Sequence, residues 1–388
     1  MKVVIVMMSL ESGGAEKSLV NLLNEMPPDR YEIDLFLFRK SGPFLNQVPS
    51  YVNICDIPVD IQKLYGDLRE AKELLPTKVI GTITARLMED SPGARAAYRW
   101  KNFYSHKIKA FPKKYDIAFA YITGETMFYT VEKINADRKV CFVHNDYKTA
   151  NHPKKYDYEY FKKLDGIASI SDTCCDILKQ EFPEFQDKVW CIQNITSSSV
   201  VKKQAELFMP KEYDGNNNNI LSIGRLMEQK GFHMAIQAAF ILKNRGIKFH
   251  WFIIGEGALR KQLEKMIQEK NVSDCFTLLG IRENPYPYIK QSKLFIQTSL
   301  YEGKSVVLDE TKILQKPIVV TNYPTVGDQI VDGNEGIIVD MNAISIADGV
   351  QKMFNDSVLY KHIVEYLSSH EYGNEEEIDN YFRYLEGI

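Results

Sequence analysis

Several protein classes are excluded by what the chain does not contain. Its six cysteines among 388 residues form no C-x-x-C pair and no Cys/His cluster at zinc spacing, which argues against a zinc module or a dithiol redox site. Cys141, inside the apolar run Lys139–Val143, is expected to be a buried thiol, and a reducing compartment fits this usage. Charge is almost balanced, with 48 Lys and Arg against 51 Asp and Glu for a net of −3. There is no global basic field, and no nucleic acid partner is expected. No apolar run approaches the roughly 20 residues of a membrane-spanning helix. The amino-terminal MKVVIVMMSLESGG has one Lys and a short apolar run but no small-residue cleavage site, so a buried first strand is preferred over a signal peptide.

Two nucleotide-loop motifs also fall short. Gly303-Lys-Ser305 resembles the end of a P-loop, but the first glycine position holds Thr298. Gly255-Glu-Gly257 resembles the start of a dinucleotide fingerprint, but its third glycine position holds Arg260.

What the chain does contain is ordinary for a globular protein, 45% apolar and 26% charged residues, at a length that suits two or three domains. Short continuous apolar runs alternate with helical patterns, as expected of parallel strands buried on both faces. Strands are expected at Val3–Met8, Ile33–Phe38, Asn53–Ile57, Ile117–Ile122, Val140–His144, Gly166–Ile170 and Val189–Gln193. After the polar stretch Tyr213–Asn219, read as an exposed linker or loop, the rhythm restarts at Ile220–Ile223, Phe249–Ile254, Phe276–Leu279, Leu294–Gln297, Pro317–Thr321 and Gly336–Val339. Helices are expected at Ala15–Glu25, Asp172–Glu181, Phe232–Asn244, Ala258–Lys270, Val306–Leu314 and Ile344–Phe354. This predicts two doubly wound α/β domains, at 1–205 and 206–355. A helical segment at 356–388 is expected to return to the first domain.

The residues with chemical promise gather at strand ends. Gly13-Gly14-Ala-Glu16 follows the first strand and opens a helix, where backbone N–H groups favour an anion. The strand at 220 ends in Gly224-Arg225, with Lys230-Gly231 starting the next helix. Both cations can face one anion such as a diphosphate at the strand's carboxyl end. Glu302 and Glu310 bracket a helix start near Lys304, Ser305 and Val306, which is worth roughly half a positive charge. Taken alone, these acids are better read as a solvated pair, and the cations as two exposed side chains.

Together, Glu302–Glu310, Gly224-Arg225 with Lys230, and the Gly13-Gly14 loop resemble retaining GT-B glycosyltransferases. The segment from 302 is similar to the E-x7-E motif of family 4, glycosyl transferases group 1. Gly280–Tyr288 resembles members that build bacterial surface polysaccharides. The likeness is strong over 220–340 and looser over 1–200. It implies a GT-B fold, two Rossmann-like sheets facing across a cleft. It also implies retaining, metal-independent transfer from a nucleotide sugar, UDP-linked, to a saccharide or lipid-linked saccharide in cell-surface polysaccharide or capsule synthesis. The absence of any D-x-D agrees with members that bind no metal.

The resemblance further implies that Arg225 and Lys230 neutralise the donor diphosphate and Glu310 accepts from the ribose. Glu302 meets the donor sugar, and Ser305, Val306 and Gly14 offer amides. Ile281 and Arg282 border the base, and His144 lies near the sugar. The catalytic set is thus Glu302, His144, Arg225 and Lys230. Departures occur at Lys304 and Ser305, where members usually carry Phe or Leu and then a small residue. A sugar-nucleotide epimerase, a phosphorylase or a non-catalytic accessory subunit of the same fold are the alternatives.

The segment Arg99–Lys114 stands apart. Six Lys or Arg are interleaved with Trp100, Phe103, Tyr104 and Phe111, with no acid. It reads either as a patch for an anionic membrane at the inner face of the cell membrane or as a solvated helix with one packed edge. A cytoplasmic location is expected in either case.

Overall fold

The computed structural model describes residues 1–11, 13–66, 73–213 and 218–388. The chain forms two compact units, one of Met1–Glu11, Ala15–Asn194 and Glu376–Ile388, the other of Ile195–Glu375 together with Gly13 and Gly14. The polar stretch expected to be a linker has 214–217 outside the described residues, and the two units divide before it, at 194/195.

In the first unit the strands are β1 (Lys2–Met7), β2 (Glu32–Leu37), β3 (Asn53–Ile54), β4 (Lys114–Ala120), β5 (Asn135–Val143), β6 (Gly166–Ser169) and β7 (Val189–Cys191). They form one parallel sheet in the order β3-β2-β1-β4-β5-β6-β7. The amino-terminal apolar run is the central strand, in register with β2 (Val3 opposite Ile33) and β4 (Val3 opposite Ile117). Val3 to Met7 are fully buried, which explains why the run is continuous rather than alternating. The core on one face is aromatic. Phe36 stacks on Tyr129 at 4.8 Å, and Trp100 lies fully buried beside Phe128 and Tyr129.

That packing separates the two halves of the Arg99–Lys114 pattern. Lys101, Lys107, Lys109 and Lys114 are exposed. Trp100 and Tyr104 are buried in the core, with Phe103 and Phe111 packed against it. The aromatic residues of this segment are therefore structural, while these four cations face solvent.

The second unit holds β8 (Asn219–Ile223), β9 (His250–Ile254), β10 (Phe276–Gly280), β11 (Leu294–Gln297), β12 (Ile318–Thr321) and β13 (Gly336–Val339). Its parallel order is β10-β9-β8-β11-β12-β13. Helices Phe232–Asn244 and Ala343–Asn355 pack together over one face. On the other face Leu221, Phe252, Phe295, Leu308 and Tyr323 form a second core layer. In each sheet the order reverses beside its first strand, between β1 and β4 and between β8 and β11. Ligands bind outside the carboxyl ends at such switch points.

The units do not follow the boundaries expected from sequence. Helix Ser198–Ala205, assigned by sequence to the first domain, packs on helices Tyr286–Gln291 and Val306–Ile313 of the second. Its apolar side, Val201 and Ala205, is buried there. Helix Ser357–Ser369 also stays with the second unit, through buried Ile363 and Leu367.

Of the carboxyl-terminal segment 356–388, only Glu376–Ile388 belongs to the first unit. Tyr384, on helix Ile378–Glu386, is fully buried there. Its hydroxyl donates to the Cys141 carbonyl at 2.6 Å and accepts from the Cys141 N–H at 3.1 Å. A Cβ at Gly166 would lie 2.8 Å from the Tyr384 ring, so the glycine makes room for it. We expect Tyr384→Phe to cost about 1–3 kcal/mol in urea unfolding, because buried polar groups lose a partner. An unchanged unfolding midpoint would show that this clasp contributes nothing.

Candidate active site

The site is built where β8 and β11 end side by side. After Ile223 the chain turns through Gly224, where a Cβ would lie 2.9 Å from Lys230 Cε. The missing side chain lets the Lys230 stem fold back over the strand end. Gly231 follows with φ +59, and a Cβ there would strike the Thr298 carbonyl oxygen. Glycine is required for both reasons. Thr298 Oγ1 donates to the Lys230 carbonyl at 2.7 Å, and the Leu300 N–H donates to the Gln229 carbonyl at 2.8 Å. These contacts clamp the loop after β8 onto the chain leaving β11.

The clamp brings Lys230 Nζ to 2.5 Å from Glu302 Oε1. Ser299 Oγ donates to the same oxygen at 2.6 Å, and Gln229 Nε2 to Oε2 at 3.3 Å. Thr325 Oγ1 holds the Glu302 carbonyl at 2.9 Å. Glu302, 7% exposed, is thus a carboxylate held by several donors. Arg225 is exposed. Burial and the Glu302 charge push the Tyr301 phenol above its usual range, while Arg225 opposes them.

Ser305 sits at the N-cap of helix Val306–Ile313. Its N–H, expected to meet a donor phosphate, donates instead to Gln329 Oε1 at 2.6 Å. Gln329 Nε2 donates to the Ser305 carbonyl at 2.9 Å and to Asp309 Oδ1 at 3.0 Å. Ser305 Oγ donates to Gln297 Oε1 at 2.8 Å. The side chain of Gln329 therefore occupies the place that sequence reading gave to an anion. Val306 begins the helix and is buried.

Glu310 also differs from expectation. It is fully buried, and Tyr286 OH donates to its Oε1 at 3.0 Å. In this conformation it presents no surface to a ribose. Of the two base-bordering residues, Ile281 is 40% exposed and open to a ligand. Arg282 is committed inward, to the Leu279 carbonyl at 2.7 Å, to Tyr288 OH at 3.0 Å and to Glu212 at 2.8 Å.

Two assigned residues lie on elements of the first sheet. Gly14 heads helix Gly14–Glu25, which follows β1. A Cβ there would meet nothing within 4 Å, so protein packing does not demand this glycine. His144 follows β5, its ring 4.4 Å from Phe142 and 4.9 Å from Tyr121. Both ring nitrogens are buried without a hydrogen-bond partner. Burial pushes the imidazole down to about 3, so it is neutral near pH 7. Its neighbour Tyr121 shares a 2.7 Å hydrogen bond with Ser18 Oγ, which donates to Asn194 Oδ1 at 2.6 Å.

The structure thus joins Lys230 to Glu302 and sets Arg225, Ser305, Val306 and Glu310 around the ends of β8 and β11. Sequence reading missed Gln329, Gln297, Gln229 and Tyr286. Gln329 is 19 residues past Glu310, with no local pattern to signal it. Ser299 and Thr298 could have been found, since both stand between β11 and Glu302. The other tempting loop has a packing role. A Cβ at Gly255 would strike the Gly224 carbonyl, so this glycine serves the contact between the ends of β8 and β9.

Two parallel, doubly wound units with this strand-end site define the GT-B architecture of glycosyltransferases. Residues 203–369, which lie within the second unit, match the family described as glycosyl transferases group 1. Among relatives, the chain is 28% identical to the poly(ribitol-phosphate) alpha-N-acetylglucosaminyltransferase of Staphylococcus aureus, over 53% of this chain and 40% of that protein. It is 22% identical to the GalNAc-alpha-(1->4)-GalNAc-alpha-(1->3)-diNAcBac-PP-undecaprenol alpha-1,4-N-acetyl-D-galactosaminyltransferase of Campylobacter jejuni, over 94% of this chain and 92% of that one. The chain spans about two fifths of the length of the first curated relatives it matches. Anabaena HepE, solved with UDP-glucose, superposes with a TM-score of 0.72 at 15% identity over 100% of both chains.

The neutral state of His144 has a pH consequence. Its folded pKa is depressed, so the stability it contributes is present above the unfolded value near 6.5 and is lost as pH falls toward 3. We expect wild type to lose up to about 2 kcal/mol more stability than His144→Gln between pH 7 and pH 5. Parallel stability–pH curves for the two proteins would contradict a neutral, buried imidazole.

Proposed function

We propose that the protein is a retaining glycosyltransferase. It moves a hexosyl group from a UDP-linked nucleotide sugar to a saccharide or lipid-linked saccharide acceptor in the synthesis of a bacterial surface polysaccharide. The observation that carries this reading is the Lys230–Glu302 pair at 2.5 Å, beside exposed Arg225, at the switch point of a glycosyl transferases group 1 unit. A carboxylate held by Lys230, Ser299 and Gln229 keeps a cation where a diphosphate must arrive.

On this reading Arg225 and Lys230 balance the charge that builds on the leaving diphosphate as the sugar–phosphate bond breaks. The sugar carbon passes through an oxocarbenium-like state. The acceptor hydroxyl bonds to that carbon on the face the nucleotide leaves, and its proton passes to the departing phosphate oxygen, so configuration is retained. Glu302 faces the donor sugar, and neutral His144 accepts a hydrogen bond from a sugar hydroxyl. Gly14 offers an approach free of side chain. Glu310 meets the ribose once Tyr286 yields it, and the Val306 amide serves the phosphate. No metal takes part. The acceptor places the protein at the cytoplasmic face of the cell membrane.

A second reading is a GT-B accessory subunit that binds without turnover. Full burial of Glu310 and the occupied Ser305 N–H favour it. The two separate by experiment. UDP-sugars are expected to raise the thermal midpoint of the purified protein and to yield free UDP when acceptor is present. Arg225→Ala and Glu302→Ala are each expected to lower turnover at least about 100-fold, a loss of about 2.7 kcal/mol of transition-state stabilisation. Stabilisation by UDP-sugars without any UDP release would establish the accessory reading. Near-normal turnover by both variants would remove these residues from the chemistry.

A further inference from the structure

Helix Leu75–Met88 lies between β3 and β4 and is attached to its unit by its smallest residues. Gly81 and Ala85 are its buried positions. A Cβ on Gly81 would lie 3.3 Å from the Phe103 ring. The opposite side of the helix is apolar and open. Leu75, Val79, Ile80, Ile83 and Leu87 are 39%, 48%, 53%, 55% and 79% exposed, and Met88, at the helix end, is 64% exposed. With about 3.6 residues per turn, 75, 79, 83 and 87 run down one line roughly opposite 81 and 85. This inverts the usual amphipathic helix, whose apolar stripe faces the core.

The remaining surface of the helix is suited to losing water. Thr82 Oγ1 donates to the Lys78 carbonyl at 2.7 Å and Thr84 Oγ1 to the Ile80 carbonyl at 2.8 Å. The hydroxyls of Thr82 and Thr84 are thus satisfied within the helix. Its charged residues are Lys78 and Arg86, with no acid between 75 and 88. Of the acids flanking it, Glu73 is exposed and pairs with Lys63, Glu89 accepts from Tyr156 OH, and Asp90 is exposed. The helix packs against Pro92–Arg99 and Trp100–Tyr104, the start of the segment that exposes Lys101, Lys107 and Lys109.

We propose that the outward face of helix Leu75–Met88 docks onto an anionic lipid bilayer surface, with neighbouring cations reaching the headgroups. Apolar side chains enter the headgroup–acyl boundary and Lys and Arg add attraction to anionic lipid, as in interfacial amphipathic helices. Six side chains on one helix fall short of the roughly 20–30 residues a side of a stable protein–protein interface. The cationic surround matches a lipid surface rather than a second copy of this nearly neutral chain. Trp100 and Tyr104 take no part, being in the core. The proposal goes beyond glycosyl transfer and does not depend on it.

The test is flotation of the full chain with vesicles of phosphatidylcholine, with or without roughly 30 mol % phosphatidylglycerol. Wild type is expected to float with the anionic vesicles, less as salt is raised, and far less with the neutral ones. Ile83→Asp with Leu87→Asp is expected to lower partitioning at least about tenfold while leaving the thermal midpoint unchanged. Ile83→Gln with Leu87→Gln repeats the comparison without new charge. Absence of wild-type flotation, equal flotation with neutral vesicles, or undiminished flotation of both variants would overturn the proposal. A wild-type dimer dispersed by the variants, measured by light scattering, would overturn it in favour of a second copy. Vesicle binding needs neither donor nor turnover, so its failure leaves the transferase reading standing, and the reverse holds too.

Discussion

Close backbone packing at the carboxyl ends of β8, β9 and β11 is the constraint on which the site depends. Gly255 lies against the Gly224 carbonyl, Gly224 gives space to the Lys230 stem, and Gly231 presses on the Thr298 carbonyl. Any side chain at the first or third of these positions would push neighbouring backbone apart. Only with the strand ends this close can a cation after one strand reach a carboxylate after the next. The Lys230–Glu302 pair is the chemical result of that geometry.

The same crowding sets the electrostatic character of the site. A carboxylate as buried as Glu302 must be compensated, and Lys230, Ser299 and Gln229 supply the donors. Behind it the polar groups are bound to one another. Gln297 links Tyr323 to Ser305, and Gln329 bridges Ser305 to Asp309. Such a network is rigid when fully satisfied. It holds the start of helix Val306–Ile313 in place while occupying one of the amides a ligand would use. Arg225 stands outside the network, exposed at its edge.

The first unit shows the contrasting economy of an apolar interior. Its aromatic residues, including those of the basic segment, are drawn into the core. One short carboxyl-terminal helix is anchored by Tyr384 at the Cys141 backbone. A helix carried on two small residues is left with its large ones outward. In composition the helix Leu75–Met88 reads as a core element. Its placement makes it a surface.

Much of this was legible in the chain itself. Each of the 13 strands among the described residues overlaps a continuous apolar run, because a strand segment buried on both faces must be apolar at every position, whereas β4 and β5 begin earlier, on polar residues that are partly exposed. Helices Asp172–Glu181 and Phe232–Asn244 end where the periodic pattern ends. The family motif was readable because its parts are local: a strand end, a glycine turn and two carboxylates eight positions apart. What eluded reading was long-range. Ser198–Ala205 joins the second unit through burial of Val201 and Ala205. Gln329 reaches Ser305 across 24 residues.

The sequence by itself determined the alternation of elements, the two-unit α/β plan and the residue types at the strand ends, since periodicity and turn chemistry are properties of neighbouring residues. Tertiary structure alone decided that Lys230 pairs with Glu302, that Glu310 is enclosed under Tyr286, and that the apolar face of Leu75–Met88 is turned outward. Each of these depends on which surfaces meet when distant segments pack, and that is set by burial and close approach rather than by local pattern.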